Sequence, residues 1–195
     1  KIGYLETWKK FSSTMKKLGY TPIKRYPTIA RWRDDTWFPQ ASIYAFQPFV
    51  VGGMVSPPAN PLVMSQPSLR FNDIDNVGIT GRHYSTHFHL GQHAFQSPEN
   101  YDKEKYLSDI ITWLTDGVKL PLNEIQFHED QWGGGGNLGV SLEYFSRGVE
   151  LGNQVYMTYK ITPKGYKDLD IKVLDMGSGQ ERYPWITSGK PINFE

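Results

Sequence analysis

Cysteine is absent from all 195 residues. That excludes a disulfide framework and any thiolate metal site, and it favours a cytoplasmic setting. No run of eighteen apolar residues occurs, so no membrane-spanning helix and no membrane partner are expected. The first residues show no signal-peptide pattern. Net charge is nearly absent too: 21 Lys and Arg stand against 20 Asp and Glu, a balance that by itself points to no nucleic-acid partner. Internal repeats, interdomain linkers and low-complexity tracts are also missing. What remains is a chain with 38% hydrophobic and 14% aromatic residues, enough to bury a core as one domain over 1–195.

The small net charge hides an uneven distribution. Residues 1–33 hold Lys1, Lys9, Lys10, Lys16, Lys17, Lys24, Arg25, Arg31 and Arg33 against one acid, Glu6. Such a segment can meet a phosphate backbone or simply form a solvated face.

Hydrophobic spacing places the elements. Tyr4, Leu5, Trp8, Phe11, Met15 and Leu18 recur at helical spacing, and Gly19 follows as a C-terminal cap. Residues 23–30 and 36–50 read as extended segments. Prolines at 57, 58 and 61 forbid helix there. Strands are expected near 62–71 and 84–95, joined by a polar loop into a long antiparallel hairpin. A second amphipathic helix covers 101–116 with Tyr106, Leu107, Ile110, Ile111 and Leu114 on its apolar side. Strands near 124–128, 141–146, 154–161 and 169–175 and a last helix near 180–187 complete the chain. Runs of strands without regular strand–helix alternation indicate an α+β fold with an antiparallel sheet flanked by helices.

The most specific stretch is Asp175-Met176-Gly177-Ser178-Gly179-Gln180-Glu181-Arg182. A strand-end carboxylate can hold an ammonium group, the glycines let a nucleotide approach the backbone, and a guanidinium grips phosphate or lies on a base. A second block runs Ser65-Gln66-Pro67-Ser68-Leu69-Arg70-Phe71-Asn72-Asp73-Ile74-Asp75-Asn76-Val77-Gly78, then Thr80-Gly81-Arg82-His83. Upstream lie Arg31-Trp32-Arg33-Asp34-Asp35, Phe46-Gln47-Pro48-Phe49 and Pro57-Pro58-Ala59-Asn60-Pro61-Leu62-Val63. Between the two blocks come Gly133-Gly134-Gly135-Gly136-Asn137 and Leu142-Glu143.

Taken together, these motifs resemble the catalytic core of the class II aminoacyl-tRNA synthetases, and within them the archaeal alanyl-tRNA synthetase family. The likeness is colinear along essentially the whole chain. It implies ATP-dependent activation of an amino acid, alanine, to the aminoacyl-adenylate, with Mg²⁺, for transfer to the 3′ end of tRNA. Activation joins a carboxylate to the α-phosphate, so the site must neutralise charge and align the attack. By resemblance Arg70 contacts the α-phosphate and the amino-acid carboxylate. Arg82 and His83 reach the outer phosphates, and Arg182 lies on the adenine face and the γ-phosphate, beside Gly179. Asp175 holds the α-ammonium group, with Gly177, Asn137 and Gln154 lining the amino-acid pocket. Glu143 is the candidate for holding Mg²⁺ with phosphate oxygens. Family members continue into tRNA-recognition, editing and C-terminal oligomerisation regions. The expectation is therefore a catalytic domain without them, meeting a tRNA acceptor stem weakly; a homodimer is compatible with the sequence.

Several residues depart from the family pattern. His87 stands where class II enzymes stack a phenylalanine on adenine and is the candidate adenine shelf; Phe88 beside it is the next ATP-binding candidate, although it points to the opposite face unless a bulge intervenes. His89 replaces a methionine, and Gln154 a leucine. Phosphate-handling residues persist while pocket-lining ones drift. Two alternatives follow: a paralogue that activates another small amino acid for a carrier or small molecule, and a non-catalytic binding module that keeps the fold. His83, His87, His89 and His93 share one face of a straight strand. Two-residue spacing sets their side chains about 7 Å apart, too far for adjacent ligands of one zinc ion, so packing or pocket lining is the expectation for His87, His89 and His93.

Overall fold

The computed structural model describes residues 1–71, 74–80 and 86–191. Helix α1 (Tyr4–Lys17) leads into the short β1 (Thr21–Pro22). After an irregular stretch come β2 (Leu62–Arg70), a single helical turn α2 (Val77–Thr80) and β3 (Thr86–Gln96). Helix α3 (Lys103–Thr112) runs on into a π-turn at Trp113–Gly117. Four strands follow as two hairpins, β4 (Ile125–Gly134), β5 (Asn137–Ser146), β6 (Val149–Thr162) and β7 (Gly165–Gly179), and α4 (Arg182–Ser188) comes last. Seven strands form one sheet in the order β1-β2-β3-β7-β6-β5-β4. Every neighbouring pair is antiparallel except β1–β2. This is the expected α+β sheet flanked by helices. Among the described residues no helix is long and apolar enough to cross a membrane.

Strand alternation gives the sheet two unlike faces. One face packs on the helices: Phe11 and Met15 of α1, Ile110 of α3, Trp113 and Leu114 of the π-turn, and Tyr183 and Ile186 of α4 meet Val63, Leu90, Tyr144 and Met176. Leu5, assigned to the apolar stripe of α1 from its spacing, is 73% exposed, so the stripe is narrower than the sequence suggests. On the opposite face Ile43, Phe46, Val50 and Val51 cover Met64, Phe95, Val155, Met157 and Val173.

That cover corrects one expectation. Residues 23–30 and 36–50 are not extended strands. A 3-10 turn spans Ser42–Ala45, and Val50 N–H bonds the Phe46 carbonyl at 2.9 Å. Their aromatic and β-branched residues satisfy strand propensity, but those side chains are buried by lying on the sheet, not by pairing with it. A side chain replaces a missing ladder here: Gln66 Oε1 accepts the Tyr26 N–H at 2.8 Å and its Nε2 donates to the Tyr26 carbonyl at 3.1 Å. The four strands from β4 to β7 are also longer than expected. Gly135 and Gly136 both hold positive φ, which lets a two-residue turn close the β4–β5 hairpin.

A polar network lies under the helical face. The Tyr20 hydroxyl donates to Asp109 Oδ2 at 2.8 Å and accepts from Gln92 Nε2 at 2.7 Å. Gln154 Nε2 continues the chain to Gln92 Oε1 at 3.1 Å and to the Tyr106 carbonyl at 2.8 Å. Lys105 neutralises Asp109 at 2.6 Å. Removing the Tyr20 hydroxyl leaves two buried groups short of a partner. Tyr20→Phe is therefore expected to destabilise the fold by about 1–3 kcal/mol, read as a lower urea midpoint at an unchanged m-value.

Candidate active site

The two sequence blocks meet because β3 pairs with β7. In this register His89 faces Gly179, Gly91 faces Gly177 and His93 faces Asp175. On the other side of β7, Asn153 and Val155 of β6 face Gly177 and Asp175. Of these, His89, Asn153, Val155, Asp175, Gly177 and Gly179 line a cavity of about 220 Å³, together with Ala41, Arg70, Trp132, Glu143, Glu150, Ser178 and Arg182. Two larger depressions, one around Arg31–Arg33 and Gln47 and one between α3 and the β4–β5 hairpin, are open surface features away from this convergence of charge.

Arg70 enters from the end of β2 and Arg182 from the first turn of α4. Arg182 Nη1 bonds the Glu150 carbonyl at 2.8 Å and lies 3.2 Å from Glu150 Oε2, which fixes its direction. Among the described residues Arg70 forms no ion pair. Burial, and then the neighbouring Arg182 charge, pushes its guanidinium below its ordinary pKa. Two guanidiniums crowding one cavity favour an anion there.

Asp175 supplies the opposite sign. It is 5% exposed, and burial pushes its pKa up to about 7. Its nearest ionisable neighbour is the imidazole of His93, at 3.5 Å. Nothing on the protein side supplies a full positive charge in contact with it among the described residues, so a cationic ligand group would relieve its burial. Burial also raises Glu143, reinforced by the charges of Glu150 and Asp130. Two adjacent carboxylates that repel each other beside two arginines suit a divalent cation shared with phosphate oxygens. No set of three His, Cys, Asp or Glu residues fit to hold a metal occurs among the described residues.

The remaining expected site residues divide. Gly177 and Gly179 line the cavity. A Cβ at Gly177 would collide with the His89 ring, so only glycine fits beneath it. Gln154 does not reach the cavity. It lies on the helical face within the polar network, because its neighbours Asn153 and Val155 take the site face. Asn137 lies outside the lining as well; its Oδ1 accepts from Gln47 Nε2 at 2.8 Å and braces the β4–β5 turn. Phe88 points to the helical side, with the Arg25 guanidinium 4.9 Å over its ring and Tyr4 edge-on at 6.3 Å. His87 is half-buried and is not part of the lining. Arg82 and His83 fall outside the described residues.

Sequence reasoning missed three groups. Asn153, Val155 and Trp132 line the cavity, and the alternation that excludes Gln154 could have found the first two. Glu150 pairs with Arg182. Glu181, 1% exposed, accepts the backbone N–H groups of His87 at 3.0 Å and Phe88 at 2.9 Å, tying α4 to the start of β3.

Asp175 also sets a pH dependence of stability. Its folded pKa lies above the unfolded value, so the folded state binds more protons between them and stability falls as pH rises through that window. The loss is about 1.4 kcal/mol per pH unit from roughly pH 4 to 7. Asp175→Asn is expected to raise the thermal midpoint at pH 8 and leave it nearly unchanged at pH 4, as read by calorimetry at both pH values.

Comparison with known proteins addresses the family and the fold. The family model described as tRNA synthetases class II (A) matches residues 6–194. The alanine–tRNA ligase of Methanocella arvoryzae is 52% identical over 198 residues, covering 100% of this chain and 23% of that protein. Those of Saccharolobus islandicus and Methanothermobacter thermautotrophicus are 47% and 45% identical, covering 97% and 95% of this chain and 21% of each relative. The chain thus spans between a fifth and a quarter of these relatives' length. Among solved structures, two of the pyrrolysyl-tRNA synthetase of Desulfitobacterium hafniense superpose with TM-scores of 0.55 and 0.58 at 12% identity, each covering 99% of this chain and 72% of the other, a likeness of fold. With the match running along nearly all of its sequence and the same sheet beneath it, this chain belongs to the class II tRNA synthetase family.

Proposed function

We propose that this domain activates alanine with ATP to form the aminoacyl-adenylate, for transfer to the 3′ end of a tRNA. The observation that carries the reading is the convergence of Arg70, Asp175 and Arg182, from three separate elements, on one cavity. Asp175 holds the α-ammonium group. Arg70 bridges the amino-acid carboxylate and the α-phosphate, so that two anions approach without repelling each other. Arg182, braced by Glu150, grips the adenine face and outer phosphates. Glu143 and Glu150 would hold Mg²⁺, which when bound neutralises the charge of the phosphates. The glycines at 177 and 179 bring backbone close to the ligand. Exposed Lys9, Lys16, Lys17, Lys24 and Arg25 offer a basic surface to an acceptor stem, whereas Arg33 is neutralised by Asp35 at 2.6 Å.

One observation favours a second reading, activation of a different small amino acid. His89 puts an imidazole into the lining where the resembling family has methionine, and an imidazole N–H can serve a polar side chain.

Amino-acid-dependent ATP–pyrophosphate exchange across the twenty amino acids tests activation and identity together. Alanine is expected to give the highest rate; a different preferred amino acid moves the domain to the second reading, and no exchange with any of them refutes activation. Arg70→Ala is expected to lower exchange by about 100-fold or more, since a donor acting on developing charge is worth about 3–4 kcal/mol. Exchange within threefold of the unmodified protein would remove Arg70 from the reaction.

In the same assay Asp175→Asn is expected to raise the KM for the amino acid by about tenfold or more, the worth of a hydrogen bond between charged groups. The KM for ATP should stay within about twofold. Equal effects on both would remove Asp175 from amino-acid binding.

A further inference from the structure

Behind Asp175 lies a run of buried polar groups that the activation chemistry leaves unused. His93 faces Asp175 across the β3–β7 ladder. Its Nδ1 is 3.5 Å from Asp175 Oδ1, too long for a good hydrogen bond, and this buried nitrogen has no other hydrogen-bond partner. Its Nε2 lies 2.8 Å from Ser42 Oγ, and the same oxygen is 3.1 Å from His89 Nδ1. Gly91 keeps the cluster open, since a Cβ there would strike both Ser42 Oγ and His93 Nε2.

The two imidazoles differ in freedom. His89 Nδ1 accepts the Ser42 backbone N–H at 3.1 Å, so neutral His89 must carry its proton on Nε2. At His93 Nε2 nothing fixes the proton in this way, because the Ser42 hydroxyl can either donate or accept; the Leu174 carbonyl is the backbone group that bears on the ring. Burial holds the His93 pKa down at about 3, opposed only in part by the Leu174 carbonyl, so the choice lies between neutral tautomers. Two proton arrangements fit the same heavy atoms. In the first, Asp175 is protonated and donates to His93 Nδ1, His93 Nε2–H donates to Ser42, and Ser42 donates to His89. In the second, Ser42 donates to His93 Nε2 and His93 Nδ1–H donates to an ionised Asp175. Passing from the first to the second releases one proton to solvent.

We propose that His93, set by Ser42, is a positioning residue whose tautomer switch lets Asp175 be neutral in the empty pocket and ionised when it holds an ammonium group. The proposal rests on the amino-acid-binding reading of Asp175. A buried carboxylate then has a partner in both states, which a fixed donor or a fixed acceptor could not provide. The other groups facing this pair are Arg70 from β2, His89 from β3, Glu143 from β5, Glu150 from β6 and Arg182 from α4, with Tyr101 on the helical side bonded to the Val173 carbonyl. All of them persist when His93 is replaced, so a change in pH profile reports His93.

The test is the KM for alanine by pyrophosphate exchange from pH 6 to 9, in the unmodified protein, His93→Phe and Ser42→Ala, with ¹⁵N-histidine NMR of the unmodified protein. Phenylalanine keeps the ring packing against Phe46, whose centroid lies 5.3 Å from that of His93. In the unmodified protein KM should fall as Asp175 ionises, with a midpoint near 7. His93→Phe should move that midpoint up by about one pH unit and raise KM at pH 7 about fivefold, with kcat and the KM for ATP within about twofold. Ser42→Ala should move it less, in the same direction. The NMR signals of His93 should pass from the Nε2–H to the Nδ1–H pattern on saturation with alanine. Superimposable KM profiles, or a His93 that keeps one tautomer, would overturn the proposal. If His93→Phe does not fold, Ser42→Ala and the NMR decide. If the unmodified protein shows no exchange at all, the activation reading fails separately. A ligand-free titration from pH 5 to 9 then decides for His93, a tautomer change supporting the coupling and a single tautomer refuting it.

Discussion

The pairing of β3 with β7 is the contact on which the rest depends. It joins a strand that follows Arg70 to a strand that ends just before Arg182, and these are far apart in sequence. A one-residue slip of β7 against β3 would turn Asp175 and Gly177 to the helical face and put Met176 into the cavity. The register is held from outside the ladder as well. Glu181 clasps the first amides of β3 from the start of α4, and Ser65 on β2 bonds Gln180 at 2.8 Å. Site and fold are therefore specified by the same hydrogen bonds.

Much of this was legible in the sequence. Helices α1 and α3 showed their period, the β2–β3 hairpin its apolar runs, and the two motif blocks the family. Phe88, a candidate for binding ATP, instead lies against Tyr4 and Arg25 on the helical side, as alternation along an unbulged β3 requires. The same rule, applied to β6, would have exchanged Gln154 for Asn153. Residues 23–50 were misread because a side chain laid over a sheet and a side chain projecting from a strand make the same demand on composition; only the absence of a pairing partner separates them. Asn137 braces the β4–β5 turn and stays outside the cavity lining, and a turn beside glycines looks alike in sequence whether it braces a loop or faces a ligand. The cluster of Ser42, His89 and His93 was not legible at all. Ser42 reaches the histidines through the covering segment, and nothing local in the sequence reports that contact.

The two faces of the sheet handle buried polarity in different ways. Beneath the helices, Tyr20, Gln92, Asp109, Gln154 and Lys105 satisfy one another, and the network is closed. On the site face, Asp175 and Arg70 are left without counter-charges in contact among the described residues. The first arrangement stabilises the domain. The second withholds stability that a ligand of matching charge would restore, which is how a binding site differs from a core polar cluster.

The Gln66 side chain that stands in for a strand next to Tyr26 bears on how the domain opens. The ladder from β2 to β7 is held by backbone bonds along its length, whereas the cover over residues 23–60 meets β2 through isolated backbone bonds, Ile23 N–H to the Val63 carbonyl and Leu69 N–H to the Pro39 carbonyl, and otherwise through side chains and apolar contact. Its amides should exchange with solvent at a lower opening free energy than those of the sheet, as a separate cooperative unit. Since Ser42 rides on that cover, every such opening would part it from His89 and His93 and bare the floor of the cavity. Access to the site and the integrity of the sheet thus become separate variables, adjustable by different residues.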